Sequence, residues 1–119
     1  MSRKGDLLYF GQMFDTARKI RGKTGGLARE RFNQDENIRL ALLHLIQVIG
    51  EAARRVSDEG RMDHSEIPWH SVIGMRHRIV HDYMDIREDI LWDTVTQDIP
   101  ALCDLLAKFV PPDPPGGNQ

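Results

Sequence analysis

The sequence predicts an all-α protein, an up-and-down bundle of four main helices folded as one domain over residues 1–110, with a disordered tail over residues 111–119. Three observations carry this expectation. Apolar residues recur at the three- and four-residue spacing of an amphipathic helix in several separate stretches. Short runs rich in glycine, aspartate or other polar residues divide those stretches. The chain has 119 residues, 40% hydrophobic and 29% charged, which suits one soluble core and is too short for two.

In chain order, Leu7, Leu8, Phe10, Met13, Phe14, Ala17 and Ile20 mark a first helix from about Asp6 to Arg21. Gly22, Lys23, Thr24, Gly25 and Gly26 then break the pattern, giving a loop or a short fresh turn before Phe32, which reads as a core plug. Asn33 or Asp35 is a suitable N-cap for the longest helix, Asp35 to Ser57, about 35 Å at the helical rise per residue. There Ile38, Leu42, Leu45, Ile49, Ala52 and Val56 form one stripe, and Leu40, Leu43, Ile46 and Val48 widen it, so the helix should touch more than one neighbour. Gly50, Ala52 and Ala53 would let a second helix approach closely. His44, on the same helix, is assigned no role.

Residues 58–66 are polar and read as a connecting loop. Pro68 fits the first turn of a third helix, Pro68 to His81, whose buried side is Trp69, Val72, Ile73, Ile79 and Val80. After a break at Asp82 to Asp85, a final helix from Ile86 to Val110 carries Ile90, Leu91, Val95, Ile99, Leu102, Leu105, Leu106 and Phe109 on its inner face. Pro100 should kink or restart it, because proline removes a backbone donor and crowds the preceding turn. The tail from Pro111 to Gln119 is rich in proline and glycine and has little to bury.

The single cysteine, Cys103, cannot form an internal disulfide and sits in an apolar helical pattern, which points to packing. No apolar run reaches the length of a membrane span, and the N-terminus lacks a signal peptide's apolar core, so a cytoplasmic protein that makes no use of a membrane is expected. The net charge of −2 argues against a strongly basic nucleic-acid coat. Its distribution is uneven: residues 1–61 hold 12 Lys/Arg against 8 Asp/Glu, and residues 62–119 hold 4 against 10. The basic excess gathers at Arg18, Lys19, Arg21, Lys23, Arg29 and Arg31. It reads as a solvated helix end and loop, or as a surface for RNA or an acidic partner.

The densest chemistry lies between Ile73 and Tyr83, where Arg76, His77 and Arg78 are followed by His81, Asp82 and Tyr83. On a continuous helix His77 and His81 share a face with Arg76 beside them, and Tyr83 falls near Arg76 or folds back toward His81. Arg76, His81 and Tyr83 can then converge on one small ligand group. A plainer explanation is that cations in a last helical turn offset the helix dipole. A metal site is a further alternative, since His70, His77 and His81 are spaced i, i+7, i+11 and Glu66 or Asp82 could add an oxygen ligand. Neighbouring Arg76 and Arg78 would repel the ion.

Arg76, His81 and Tyr83 spell R-x4-H-x-Y, with polar His77 directly after the arginine. This resembles the signature of the HEPN superfamily, in particular the HepT-type toxins of bacterial and archaeal toxin–antitoxin pairs. Val48 to Ser57, Ile67-Pro68-Trp69, Ile73 to Arg76, Ile90-Leu91-Trp92 and Asp98-Ile99-Pro100 continue the likeness in the expected order, over about residues 6 to 109. The resemblance implies a HEPN-like bundle whose two protomers pair so that their motifs face one cleft, and a metal-independent endoribonuclease needing no cofactor. Its catalytic residues would be Arg76 and His81, supported by His77, Tyr83 and Glu51; a structural ion pair with an arginine is the plainer role for Glu51. It further implies a cognate minimal nucleotidyltransferase antitoxin that silences the toxin by transferring AMP to Tyr83.

The chemistry is coherent. RNA carries its own nucleophile, the 2′-hydroxyl beside each phosphate, so cleavage without a metal needs a group that exchanges protons near neutrality and a fixed cation for the developing phosphate charge. His81 suits the first role and Arg76, with its planar fork, the second. His77 could supply a second acid or base, and Tyr83 a hydrogen bond to phosphate or to His81. The same residues would serve a non-catalytic HEPN module that only binds phosphate or a nucleotide.

Overall fold

A computed structural model describes residues 4–82 and 85–111. It is a helical bundle built on two long helices, α1 (Lys4–Thr24) and α3 (Glu36–Arg55), which pack along each other. Between them lies α2 (Arg29–Gln34), and α4 (Asp58–Asp63), α5 (Trp69–Ile73) and α6 (Met75–Ile79) follow. A small antiparallel hairpin of β1 (Val80–Asp82) and β2 (Asp85–Ile86) leads into α7 (Glu88–Asp93), a π-helical turn (Thr94–Asp98) and α8 (Ile99–Ala107).

Phe10, Met13, Ala17 and Ile20 are fully buried on the inner face of α1, as their spacing requires. The helix runs to Thr24, past the expected end at Arg21, and stops where Gly26 takes a positive φ of 76°, a conformation open to glycine. Phe32 is fully buried, the core plug expected, on α2, a short helix that apolar spacing did not mark. Its ring lies 4.9 Å from that of Trp92, tying α2 to α7. Asp35 caps α3, its carboxylate accepting a hydrogen bond from the Ile38 amide at 3.1 Å.

Leu42, Leu43, Ile46, Ile49, Ala52 and Ala53 of α3 are buried between α1 on one side and α5 and α6 on the other, so the helix does contact several neighbours. The apolar surface is narrower than its composition suggested. Leu40 stays 48% exposed, and the outward face also carries His44, Gln47, Glu51 and Arg54. Most of its apolar breadth is therefore consumed by neighbours within one chain.

The expected loop at residues 58–66 instead contains α4. Its six residues carry no apolar stripe, and its stability comes from capping. Ser57 Oγ accepts from the Gly60 amide at 3.0 Å and donates to Asp6 Oδ2 at 2.6 Å, while the Ser57 amide donates to Asp6 Oδ1 at 2.9 Å. Buried Asp6 thereby fastens α4 to the start of α1. Gly60 is needed at this junction, since a Cβ there would stand 2.4 Å from Asp6 Oδ2.

The interruption expected near Pro100 takes the form of a π-helical turn, after which α8 resumes at Ile99 with Pro100 in its first turn. The backbone stays right-handed helical at Asp93, Thr94, Asp98 and Ile99, and the preceding turn widens to π geometry, which absorbs the missing N–H and the bulk of the ring. No helix among the described residues is long and apolar enough to cross a membrane.

Candidate active site

The third helix expected from Pro68 to His81 is instead two single-turn helices and a strand. Gly74, at φ −90° and ψ 5°, separates α5 from α6. A Cβ there would lie 3.3 Å from the His70 carbonyl oxygen, a close fit that favours glycine. Arg78 Nη1 bonds back to the Ser71 carbonyl at 3.1 Å and braces the joint. Met75 and Ile79, four residues apart, anchor α6 in the core, leaving Arg76, His77 and Arg78 exposed.

The helix ends at Ile79, whose carbonyl accepts from the Arg87 amide at 2.7 Å, and Val80 turns extended. His77 and His81 consequently do not share a helical face. Val80 pairs with Ile86 and Asp82 with Asp85, which leaves His81 as the additional residue of a β-bulge. Bulges re-aim a side chain and recur beside active sites. The exposed His81 ring meets Arg87, with Nδ1 3.1 Å from Nη2.

Arg76 and His77 open onto a cleft of about 270 Å³ between α6 and α3. Its other wall is Ile46, Gln47, Gly50, Glu51 and Arg54, with Ile73 and Val80 at the base of the motif side. Gly50 sets the width: its Cβ position would be 3.5 Å from the Ile73 carbonyl oxygen, so α5 rests nearly on the α3 backbone, the close approach its sequence allowed. Glu51 Oε1 accepts from Arg54 Nη1 at 3.0 Å, so the expected ion pair is present. Arg76 makes no hydrogen bond or ion pair among the described residues. Its charge, with that of Arg54, faces the cleft against Glu51 alone, which suits an anionic group.

Of the five residues expected at the site, Arg76, His77 and Glu51 line this cleft. His81 stands outside its lining, one residue beyond Val80, and Tyr83 lies outside the described residues. Arg54, Gln47 and Arg87 were not singled out from sequence. Gln47, Glu51 and Arg54 recur at helical spacing on the exposed face of α3, a signal that was present; nothing local marked Arg87.

The metal alternative loses its geometry, because Gly74 interrupts the stripe after His70 and His81 has left the helix. Among the described residues no three His, Cys, Asp or Glu side chains gather where they could hold an ion. The basic cluster is partly engaged in the fold. Arg21 pairs with Asp104 at 3.0 Å, and hydrogen bonding to Cys103 and then Asp104 raises it above the ordinary arginine range. Arg29 pairs with Asp89 and lies 5.5 Å from the Trp92 ring. Cys103 is free and buried, as expected.

Comparison with known proteins gives a consistent result. The family described as ribonuclease HepT-like matches residues 13–109. A protein named as a probable ribonuclease HepT from Thermococcus cleftensis is 30% identical over 94 residues, 79% of this chain and 86% of its own. One named as a putative RNase from Caldanaerobacter subterraneus subsp. tengcongensis is 34% identical over 77 residues, 65% of this chain and 69% of its own. Another named as a putative RNase, from Methanocaldococcus jannaschii, is 26% identical over 102 residues, 86% of this chain and 94% of its own. No solved structure matches.

Proposed function

Because this chain belongs to the ribonuclease HepT-like family, we propose that it is a metal-independent endoribonuclease, the toxin of a toxin–antitoxin pair, acting through Arg76 and His81 in the cytoplasm. The observation that carries the reading is the pairing of an unengaged guanidinium at the mouth of a cleft with a histidine presented on a bulge five residues later. A phosphodiester of RNA takes its place against Arg76, whose fork holds two phosphate oxygens and stabilises the charge that grows on them. His81 takes the proton of the 2′-hydroxyl as that oxygen bonds to phosphorus. The P–O5′ bond breaks, leaving a cyclic phosphate and a 5′-hydroxyl that collects a proton from His77 or from water.

Within one protomer His81 stands outside the lining of the cleft that Arg76 and His77 share, and a homodimer gives that separation a purpose. Two motifs facing each other would set the His81 of one chain against the Arg76 of the other. Control would come from a minimal nucleotidyltransferase antitoxin that adds AMP to Tyr83, placing a negative phosphodiester and the bulk of adenosine in the path of RNA.

The test joins intact-protein mass spectrometry, with and without co-expression of the cognate nucleotidyltransferase, to an RNA cleavage assay containing EDTA. Cleavage that survives EDTA, and an added AMP mass that appears on co-expression and is absent from Tyr83→Phe, are the expected results. Added AMP on the Tyr83→Phe chain overturns the modification site. RNA binding without cleavage by wild type would make this a phosphate-binding module.

A further inference from the structure

The His81–Arg87 contact is unusual for a proton-transfer group. An arginine N–H can only donate, so at 3.1 Å Nδ1 of His81 must be the acceptor and the ring proton sits on Nε2. In that state neither ring nitrogen has a lone pair free to take a proton. The contact is also replaceable. Arg87 is exposed, it makes no ion pair among the described residues, and an arginine that makes one bond to a neutral imidazole gains more from a phosphate, whose negative charge attracts it and whose two oxygens its planar fork can hold at once.

The backbone holds both residues in place while their side chains remain free to part. The Arg87 amide is bonded to the Ile79 carbonyl at 2.7 Å, at the residue that immediately precedes α7, and His81 is the extra residue of the bulge on the strand opposite. A phosphate arriving at the hairpin meets the Arg87 guanidinium without any movement of the main chain.

We propose that Arg87 is a positioning residue that occupies His81 Nδ1 in the free protein and transfers to an RNA phosphate on binding, so that the substrate itself frees the nitrogen that accepts the 2′-hydroxyl proton. This rests on the ribonuclease reading, to which it adds a third residue and a substrate-triggered step. Arg87 then serves as a second phosphate cation beside Arg76.

The ¹⁵N resonance of His81 Nδ1 reports directly whether that nitrogen accepts a hydrogen bond. It is to be recorded for the full-length protein, free and with a 2′-O-methyl oligoribonucleotide that binds without being cut. In wild type the free protein should show a hydrogen-bonded Nδ1 that shifts toward an unbonded value as the oligonucleotide is added. In Arg87→Ala it should begin at the unbonded value and stay there. In steady-state cleavage of RNA, Arg87→Ala should raise KM about tenfold while kcat changes less than about twofold, the signature of a lost phosphate contact, and Arg87→Lys should recover part of the KM. Identical free-state Nδ1 resonances in wild type and Arg87→Ala, no shift on adding the oligonucleotide, or a fall in kcat at constant KM would each overturn the proposal. If wild type cuts no RNA, the ribonuclease reading fails. The free-state comparison of the two proteins still judges the Arg87–His81 contact independently.

Discussion

The two walls of the cleft are made in opposite ways. On one side α3 runs unbroken for 20 residues, capped by Asp35 and buried at Leu42, Leu43, Ile46, Ile49, Ala52 and Ala53. On the other, residues 69–87 pass through two five-residue helices and a bulged hairpin, with Val72, Met75 and Ile79 as their fully buried anchors. Helices of that length are unstable alone and persist only by packing on something else. The contrast teaches that one wall supplies rigidity and the other supplies chemistry. Arg76 and His77 can stay exposed, and His81 can be held by a single contact to Arg87, because α3 bears the stability.

If that division holds, the largest effects should come from substitutions that remove chemistry without disturbing the scaffold. Arg76→Ala and His81→Ala are expected to lower kcat/KM on RNA by about 10²–10⁴-fold, roughly 3–5 kcal/mol of transition-state stabilisation. Because both side chains are exposed, unfolding free energy should stay within about 0.5 kcal/mol of wild type. A large loss of stability in either variant, measured by urea titration, would mean that the motif wall also holds the fold together.

The converse substitution is Ile46→Ala, directly beneath the cleft and fully buried. It should cost about 2–5 kcal/mol in stability through lost burial and the cavity left behind. Below its melting transition the variant should still cleave RNA. Gly60→Ala tests the joint that ties the scaffold to α4. A methyl group there collides with the Asp6 carboxylate, and about 1–3 kcal/mol of destabilisation is expected in the same titration.

The smallest effect is the most discriminating. Glu51→Gln removes an exposed ion pair, worth less than about 1 kcal/mol to stability. It also removes the one carboxylate lining the cleft, so KM for RNA should fall while the melting temperature hardly moves. A higher KM or a lost kcat would instead place Glu51 among the groups that handle protons.

The legible parts of the sequence were those whose cause is local. Met13, Ala17 and Ile20, then Ile46 and Ile49, announced the core faces of α1 and α3 by spacing alone, and Asp35 was readable as a cap because capping depends on three neighbouring residues. Arg76, His77 and Glu51 were legible as site residues through a motif and its context, and the structure brings those three to one cleft. Periodicity failed between Asp58 and Asp63, where α4 is held by hydrogen bonds to Asp6, far away in sequence. It failed again after Ile79: the helical pattern of residues 69–81 was real, yet the chain turns extended where a carbonyl finds the Arg87 amide.

Composition, apolar spacing and turn residues were therefore sufficient to establish an all-α bundle and the chemical character of the motif, because each is a property of a few consecutive side chains. Three features lay outside the repeating pattern of a single helix, and the first of them joins segments far apart in the chain. The packing of Gly50 against Ile73 opened the cleft, the pairing of β1 with β2 placed His81 on a bulge, and the approach of Arg87 engaged its ring nitrogen. The first exists only once α3 and α5 have packed together, and the other two, though short in range, follow from where the helix ends at Ile79, which apolar spacing does not mark.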